Sequence, residues 1–324
     1  MSGATTPALS VVLPAPAGYG AIAAIIRHLR AQTALERTEL VLVVPPGTST
    51  DWQGESTAGF ARVRVIEQSG RMSALRAAGI RAAGAPIVVS AEDHSFPAPD
   101  WAEAIITAHQ GPWAAVGPQF ENANPGRMTS WADLILSFGD FVGPVTRGVT
   151  NALPWHNTSY KRDLIMQYGP RLEELLDTEG LLLDDLRARG YQLWLEPQAR
   201  TAHVNFNLVR PLIVEHFISG RLFGANRATQ ERWSRLRRAV YLVAGILIPV
   251  ARAPRLWKQV RRVNGRHRLL PGVLPPLVLG LLAHTAGELV GYGAGVGDAA
   301  RQKSELEFDR GRYVSEEQLV VFAS

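Results

Sequence analysis

The 324-residue chain contains no cysteine, which rules out both a disulfide framework and a zinc-thiolate centre and is compatible with a reducing compartment. It carries no glycine-rich dinucleotide fingerprint and no phosphate-binding lysine loop after its apolar strands, which argues against dehydrogenases and P-loop enzymes. The first residues, Met1 to Pro7, lack a positive segment followed by an apolar core. No secretory signal is therefore expected, and the chain is expected to begin in the cytoplasm. Long uninterrupted apolar runs are also missing. Ala239 to Val250 is twelve residues and is broken by Pro249, and Leu269 to Gly297 is interrupted by Pro271, Pro275, Pro276, His284 and Glu288. Acidic residues are scarce in one region: from Arg200 to Arg268 there are fourteen Arg and one Lys against only Glu215 and Glu231.

What is present fits a large folded protein. A hydrophobic content of 46% is enough for a sizeable core, in one large domain or two. The net charge of +5 says less than its distribution, because the basic band falls among apolar helices. Such a band meets nucleic acid, anionic lipid or a polyphosphate-linked substrate. The apolar neighbours favour an anionic membrane surface, and no nucleic-acid partner is expected.

Along the first hundred residues, apolar strands alternate with helices. Ala8 to Leu13 reads as a strand ending at Pro14, and Tyr19 to Gln32 as a helix with Ile22, Ile25, Ile26 and Leu29 on one face. Strands follow at Glu39 to Val44, stopped by Pro45-Pro46-Gly47, and at Val63 to Ile66. An alanine-rich helix covers Met72 to Ala83, and a short β-branched strand covers Ile87 to Val89. This alternation predicts an α/β fold with a mostly parallel central sheet and crossover helices.

The strand at Ile87 to Val89 leads into an acidic turn, Ser90-Ala91-Glu92-Asp93-His94. Open α/β sheets bind ligands at such strand ends. Two carboxylates and an imidazole crowded there repel one another unless a cation sits among them, and oxygen plus nitrogen donors suit Mn²⁺ or Mg²⁺. The competing reading makes Glu92 and Asp93 a solvated turn and His94 a helix-entry residue.

Taken together, Ser10-Val11-Val12-Leu13-Pro14, Leu29-Arg30-Ala31-Gln32-Thr33, the strand Glu39 to Val44, Ala74-Leu75-Arg76-Ala77-Ala78-Gly79-Ile80, and the acidic turn closed by Pro97, Pro99 and Trp101 resemble a family 2 glycosyltransferase over about residues 9 to 205. The resemblance implies a GT-A type fold, a nucleotide-sugar donor, a divalent metal (Mn²⁺ or Mg²⁺) and inversion at the anomeric carbon. Glu92-Asp93-His94 falls where the family keeps its Asp-x-Asp signature, with Glu92 and His94 on the two acidic positions. Pro14, Arg71, Arg76, Glu92 and Asp93 are implied on the donor side, and Glu92, His94 and the later His203 as metal ligands. One departure touches base recognition. Where the family usually has acidic residues at the end of the second strand, this chain has Pro45-Pro46-Gly47, which offers no polar side chain.

Further along, Trp113 to Gly117 reads as a strand and residues 127 to 141 as an amphipathic helix. Leu153 to Arg162 resembles the family's segment beneath the donor sugar, which places Trp155, His156 and Asn157 on the acceptor side. Locally, Asn157 also reads as a residue capping the next turn, and Trp155 as core. Residues 173 to 189 predict one helix capped by Gly190. On it Glu179 occupies the position of the family's catalytic base, while Asp184 and Asp185 read as solvated helix charges. A strand at Gln192 to Leu195 precedes Thr201-Ala202-His203-Val204, whose histidine reads as a metal ligand or as a structural residue.

The expected organisation is a catalytic domain at 1–207, a helical membrane-associating region at 208–300 and a charged, peripheral tail at 301–324, within which Gln318 to Phe322 reads as a possible added strand. Short, proline-broken apolar stretches flanked by Arg and Trp suit helices lying in a membrane interface. Soluble core helices are the alternative. The leading expectation is a glycosyltransferase at the cytoplasmic face of the cell membrane, peripheral or monotopic, acting on a lipid-linked or saccharide acceptor. A nucleotidyltransferase of related fold would need a basic glycine-rich loop after the first strand, and Pro14-Ala15-Pro16-Ala17-Gly18 has no Lys or Arg. A membrane-bound nucleotide-sugar-binding protein without catalysis is the other alternative, suggested by Pro45-Pro46 and His94.

Overall fold

A computed structural model describes residues 6–48, 57–177, 180–308 and 310–323. The strands are β1 (Leu9–Pro14), β2 (Thr38–Val44), β3 (Arg62–Glu67), β4 (Ile87–Ser90), β5 (Ser95–Pro97), β6 (Ala115–Asn122), β7 (Gly148–Thr150), β8 (Ser159–Lys161) and β9 (Leu193–His203). The helices through the middle of the chain are α1 (Tyr19–Arg30), α2 (Met72–Ala82), α3 (Trp101–Ala108), α4 (Met128–Phe138), α5 (Arg162–Met166), α6 (Arg171–Asp177) and α7 (Leu181–Ala188). After them come α8 (Val209–Gln230), α9 (Arg235–Ala244), α10 (Ile248–His267), α11 (Leu274–Ala294), α12 (Ala299–Phe308) and α13 (Val320–Ala323). The fold is α/β: a central sheet flanked by helices, followed by a helical C-terminal region. It divides into one unit of Met1–Glu121, Gly143–His203 and Phe322–Ser324, and a second of Asn122–Val142 and Val204–Val321.

The first unit holds the sheet, in the order β3-β2-β1-β4-β8-β6-β9-β5 with β7 against β9. β3, β2, β1 and β4 are parallel, and β8 then pairs antiparallel with both β4 and β6. Burial explains the sequence patterns. β1 and β2 are buried at every residue and read as continuous apolar runs, whereas edge strand β3 alternates and carries Arg62 and Arg64 outward. Helix α2 lies against β1, β2 and β4. Gly79 permits that approach, since a Cβ there would sit 2.2 Å from Val12 Cγ1. A charge enters this core at Glu39. Fully buried Glu39 accepts from Ser10 Oγ (2.5 Å), Gly84 N (2.6 Å) and Arg64 Nε (2.9 Å), tying β1, β2 and β3 together.

The second unit is helical. In it α8 and α11 press together backbone to backbone: a Cβ at Gly287 would lie 1.9 Å from Phe217 O, and one at Gly220 would lie 2.0 Å from His284 O. Glycines four apart on both helices, Gly220 and Gly224 against Gly287 and Gly291, make that crossing possible. Two buried carboxylates, Asp133 and Glu215, are paired within the unit. Asp133 accepts from Phe206 N (2.8 Å) and lies 3.0 Å from His216 Nε2, and Glu215 is bridged to Lys303.

Three expectations differ from the structure. The helix over 173–189 is described as two helices, α6 as far as Asp177 and α7 from Leu181, with Gly180 at the start of α7 in a left-handed conformation at φ +88°. Gly190 does terminate α7 as expected, with its N–H bonded to Arg187 O at 2.9 Å. Residues Gln318 to Phe322 are not a strand: Gln318 N and Leu319 N bond back to Ser315 O and Glu316 O, and the chain continues as α13. Nor is the tail peripheral throughout, since Leu306 of α12 is buried against Phe206 and Ile218.

Candidate functional site

The chain leaves β1 for β2 on one side of the sheet and reaches β4 on the other, so the carboxyl ends of β1 and β4 flank a topological switch point. Pro14 ends β1 there, and Ala91, just past β4, donates its N–H to Val12 O at 2.8 Å. Glu92 is the next residue. Its turn closes through Ser95 N to Glu92 O at 3.2 Å, and the chain then enters β5. Because β5 pairs antiparallel with the end of β9, Ser95 comes opposite His203. That register delivers a histidine from far along the chain to the acidic turn.

The Glu92 carboxylate is buried and surrounded. Ser95 Oγ and Asn157 Nδ2 each donate to its Oε2 at 3.1 Å, and His203 Nε2 lies 4.0 Å from the same oxygen. Its Oε1 lies 2.7 Å from His156 Nδ1 and 3.6 Å from Arg76 Nη2. His94 packs edge to face on His203, with ring centroids 4.9 Å apart, and its Nδ1 lies 2.6 Å from Asp93 Oδ1. Burial is the largest single influence on Glu92 and opposes its ionisation. The positive character of His156 and His94, the hydrogen bond from His156 and the charge of His203 together outweigh it and hold the carboxyl well below the usual range.

One ligand atom each from Glu92, His94 and His203 lie within 4.8 Å of one another, and all three residues are buried. A carboxylate oxygen with two imidazole nitrogens is a donor set that a divalent transition ion accepts, and Mn²⁺ tolerates the nitrogen share better than Mg²⁺ does. The remaining contacts on Glu92 are outer-sphere hydrogen bonds of the kind that orient a ligand.

Asn157 and His156, expected on the acceptor side, bring their side chains to the Glu92 carboxylate. Asn157 holds φ at +57°, a left-handed conformation that asparagine tolerates better than most residues. Arg76, on α2, reaches both Glu92 and His156, the latter at 3.2 Å, whereas Arg71 stands exposed at the start of the same helix. Trp155 lines a neighbouring small cavity, open to solvent, together with Arg76, Ser90, Tyr160, Leu175 and Leu183. In its wall Arg76 Nε and Ser90 Oγ are buried polar atoms without a hydrogen-bond partner. Glu179 lies outside the described residues. Asp185 accepts from Tyr168 OH at 2.6 Å and pairs with Arg189, and Asp184 pairs with Arg187.

Sequence reasoning missed Ser95. Its only local signal was a hydroxyl three residues after a carboxylate, a spacing that also describes many ordinary turns.

No protein-family model matches the chain, and no curated protein matches it in sequence. Among solved structures, the chain is similar to the mannosyltransferase PcManGT from Pyrobaculum calidifontis, in complex with GDP-Man and Mn²⁺. The identity is 15%, the alignment covers 98% of this chain and 86% of that one, and the TM-score is 0.48.

Proposed function

We propose that the chain is an inverting, GT-A type glycosyltransferase resembling family 2, which moves a sugar from a nucleotide-sugar donor to a hydroxyl of a lipid-linked or membrane-proximal acceptor at the cytoplasmic face of a membrane. The observation that carries this reading is the buried Glu92, His94 and His203 group at the β1/β4 switch point. A phosphate-bearing ligand would sit there, and a divalent ion would be held by those three side chains. When bound, the ion offsets the negative charge that builds on the departing diphosphate.

The chain's own residues do the rest. Ser95 and Asn157 fix one carboxylate oxygen of Glu92 and His156 the other, so the ligand oxygen is oriented before the donor arrives. Glu179 is the proposed base: it takes the proton of the acceptor hydroxyl. As that oxygen bonds to the anomeric carbon, the bond from the same carbon to the diphosphate oxygen breaks with its electron pair leaving on the diphosphate. The displacement is single and in line, with no covalent enzyme intermediate. Trp155 lines the cavity beside Glu92, which is proposed to take the acceptor, and Arg76 in its wall, which reaches Glu92, is proposed to face the donor.

The test incubates purified protein with a panel of nucleotide sugars and Mn²⁺ and follows nucleoside diphosphate release. Release by the wild type, lost in a His94→Ala, His203→Ala double variant together with Mn²⁺-dependent nucleotide binding, is the expected result. Unchanged nucleotide affinity in that variant would remove the ligand assignment. Tight donor binding without release, in the presence of varied acceptors, would favour a binding protein that has lost catalysis.

A further inference from the structure

We propose that the helical stretch Arg235–His267 lies flat in the headgroup region of an anionic membrane, as the docking surface of the second unit. The inference deepens the membrane-proximal part of the function proposed above, and it stands on this unit alone.

Among the described residues, two stretches are by length and composition alone apolar enough to cross a bilayer, and burial separates them. The 18-residue apolar window of Leu274–Ala294 is 44% buried and belongs to α11, the partner of α8. The corresponding window of Arg235–His267, with a mean hydropathy of 1.5, is only 6% buried. A helix of a soluble core would show the reverse.

Its two faces are inverted relative to a soluble amphipathic helix. Leu236, Val240, Val243, Leu247, Val250 and Trp257 recur at intervals of three, four or seven and form one stripe. They are 76%, 54%, 79%, 62%, 69% and 48% exposed. The opposite face turns polar groups inward: Arg238 Nη1 donates to Tyr292 O at 3.1 Å and Arg252 Nη2 to Glu288 Oε2 at 2.8 Å, while Gly245 between them is buried against Leu289. Val240, Val243 and Val250 outward with Arg238 and Arg252 inward leave an apolar stripe larger than soluble proteins usually expose.

The charges name the partner. There is no Asp or Glu between Arg232 and Gly287. Arg235, Lys258, Arg261, Arg266 and Arg268 are exposed and take part in no ion pair among the described residues. Cations bordering an outward apolar stripe, with a tryptophan at its end, match the headgroup region of a leaflet rich in anionic lipid.

The same placement excludes a span. The run without charge, Ala239 to Ala251, is thirteen residues, roughly 20 Å of helix against a hydrocarbon core of about 30 Å. Extending it in either direction brings in Arg238 or Arg252, both committed to partners in the unit.

The experiment floats the full-length protein on vesicles of phosphatidylcholine, with and without phosphatidylglycerol, at low and high salt. Flotation that requires phosphatidylglycerol at low salt, and is weakened but not abolished by salt, is expected. A Val243→Glu, Val250→Glu double variant, changed only at exposed positions, should partition at least about tenfold more weakly while keeping the wild-type circular dichroism and nucleotide affinity. Wild-type flotation by that variant overturns the proposal, as does a wild type that does not float. Protein that resists alkaline extraction and leaves the membrane only in detergent would show a span and overturn the flat placement. None of these readouts depends on glycosyl transfer, so loss of the catalytic reading would leave them standing.

Discussion

Glu39→Gln isolates a buried charge that lies in the core of the sheet and outside the site. The carboxylate is fully buried and meets four donors: Ser10 Oγ and Gly84 N on Oε2, and Arg64 Nε with Arg62 Nη1 (3.7 Å) on Oε1. An amide has one acceptor oxygen, so one side must fail. With the oxygen toward Ser10 and Gly84, both bonds survive but lose their charge assistance, and the NH₂ faces two guanidinium groups. With the NH₂ turned the other way it opposes the Gly84 N–H, which cannot rotate. The first arrangement is cheaper, because Arg62 and Arg64 have side chains 45% and 43% exposed and can swing into water. Their ion pairs then count only at surface value, about 0–1 kcal/mol. The stranded NH₂ adds about 1–3 kcal/mol, and the weakened bonds to Ser10 and Gly84 somewhat more. The sum is roughly 2–4 kcal/mol. Urea unfolding, with hydrogen exchange on β1 and β2 to locate the loss, measures it against Glu103→Gln, which breaks an exposed pair with Arg37. The pH dependence has a defined sign. Burial raises the Glu39 pKa, but the bonds from Ser10, Gly84 and Arg64 and the Arg64 charge carry it below the usual value of 4.5. The stabilisation is therefore full above the unfolded pKa and is lost as pH falls through the folded one. Glu39→Gln should flatten the acid limb of wild-type stability. A variant within about 0.5 kcal/mol of wild type, with the acid limb unchanged, would refute this account of the carboxylate.

Two further substitutions test the packing of the second unit and the setting of the candidate ligand. Gly287→Ala should destabilise by about 1–3 kcal/mol or more, because its Cβ meets backbone at Phe217 O, while Gly265→Ala, in α10 with open space around it, should be neutral or stabilising by up to about 1 kcal/mol; equal urea midpoints for the two would contradict the close crossing of α8 and α11. Asn157→Gly keeps a residue suited to φ +57° and removes the donor to Glu92, so Mn²⁺ affinity, followed by the signal of free Mn²⁺ in paramagnetic resonance, should fall by about 10- to 100-fold with little change in stability, and unchanged affinity would show that the bond does not orient a metal ligand.

The central strands were legible because burial on both faces leaves continuous apolar runs, and β1, β2 and β4 are of that kind. The acidic turn could be placed for the same reason, since it ends such a run. Its surroundings could not. Glu92 meets His203 through the pairing of Ser95 with His203, and a three-residue strand such as β5 has too few positions to show a period. Gly180 takes its left-handed φ at the start of α7, and one glycine in an apolar pattern fits a continuous helix as well as a break.

Hydropathy gave two apolar stretches in the last third and treated them alike, because it sums composition and ignores which side of a helix a residue is on. Glycine positions distinguish them. In α11, Gly280, Gly287 and Gly291 each face a neighbouring element at a distance no Cβ would allow, so the helix can press its backbone against α8 and bury its apolar surface. In Arg235–His267, Gly245 also marks the approach to a neighbour, Leu289, but it lies off the stripe that runs from Leu236 to Trp257. The close-packed side of that stretch as far as Trp257 is therefore the side of Arg238, Gly245 and Arg252, and Val240, Val243 and Val250 are left to the outside. Read as positions around a helix, the same glycines make α11 a core helix and the stretch before it a surface one, a distinction that no window average of hydropathy contains.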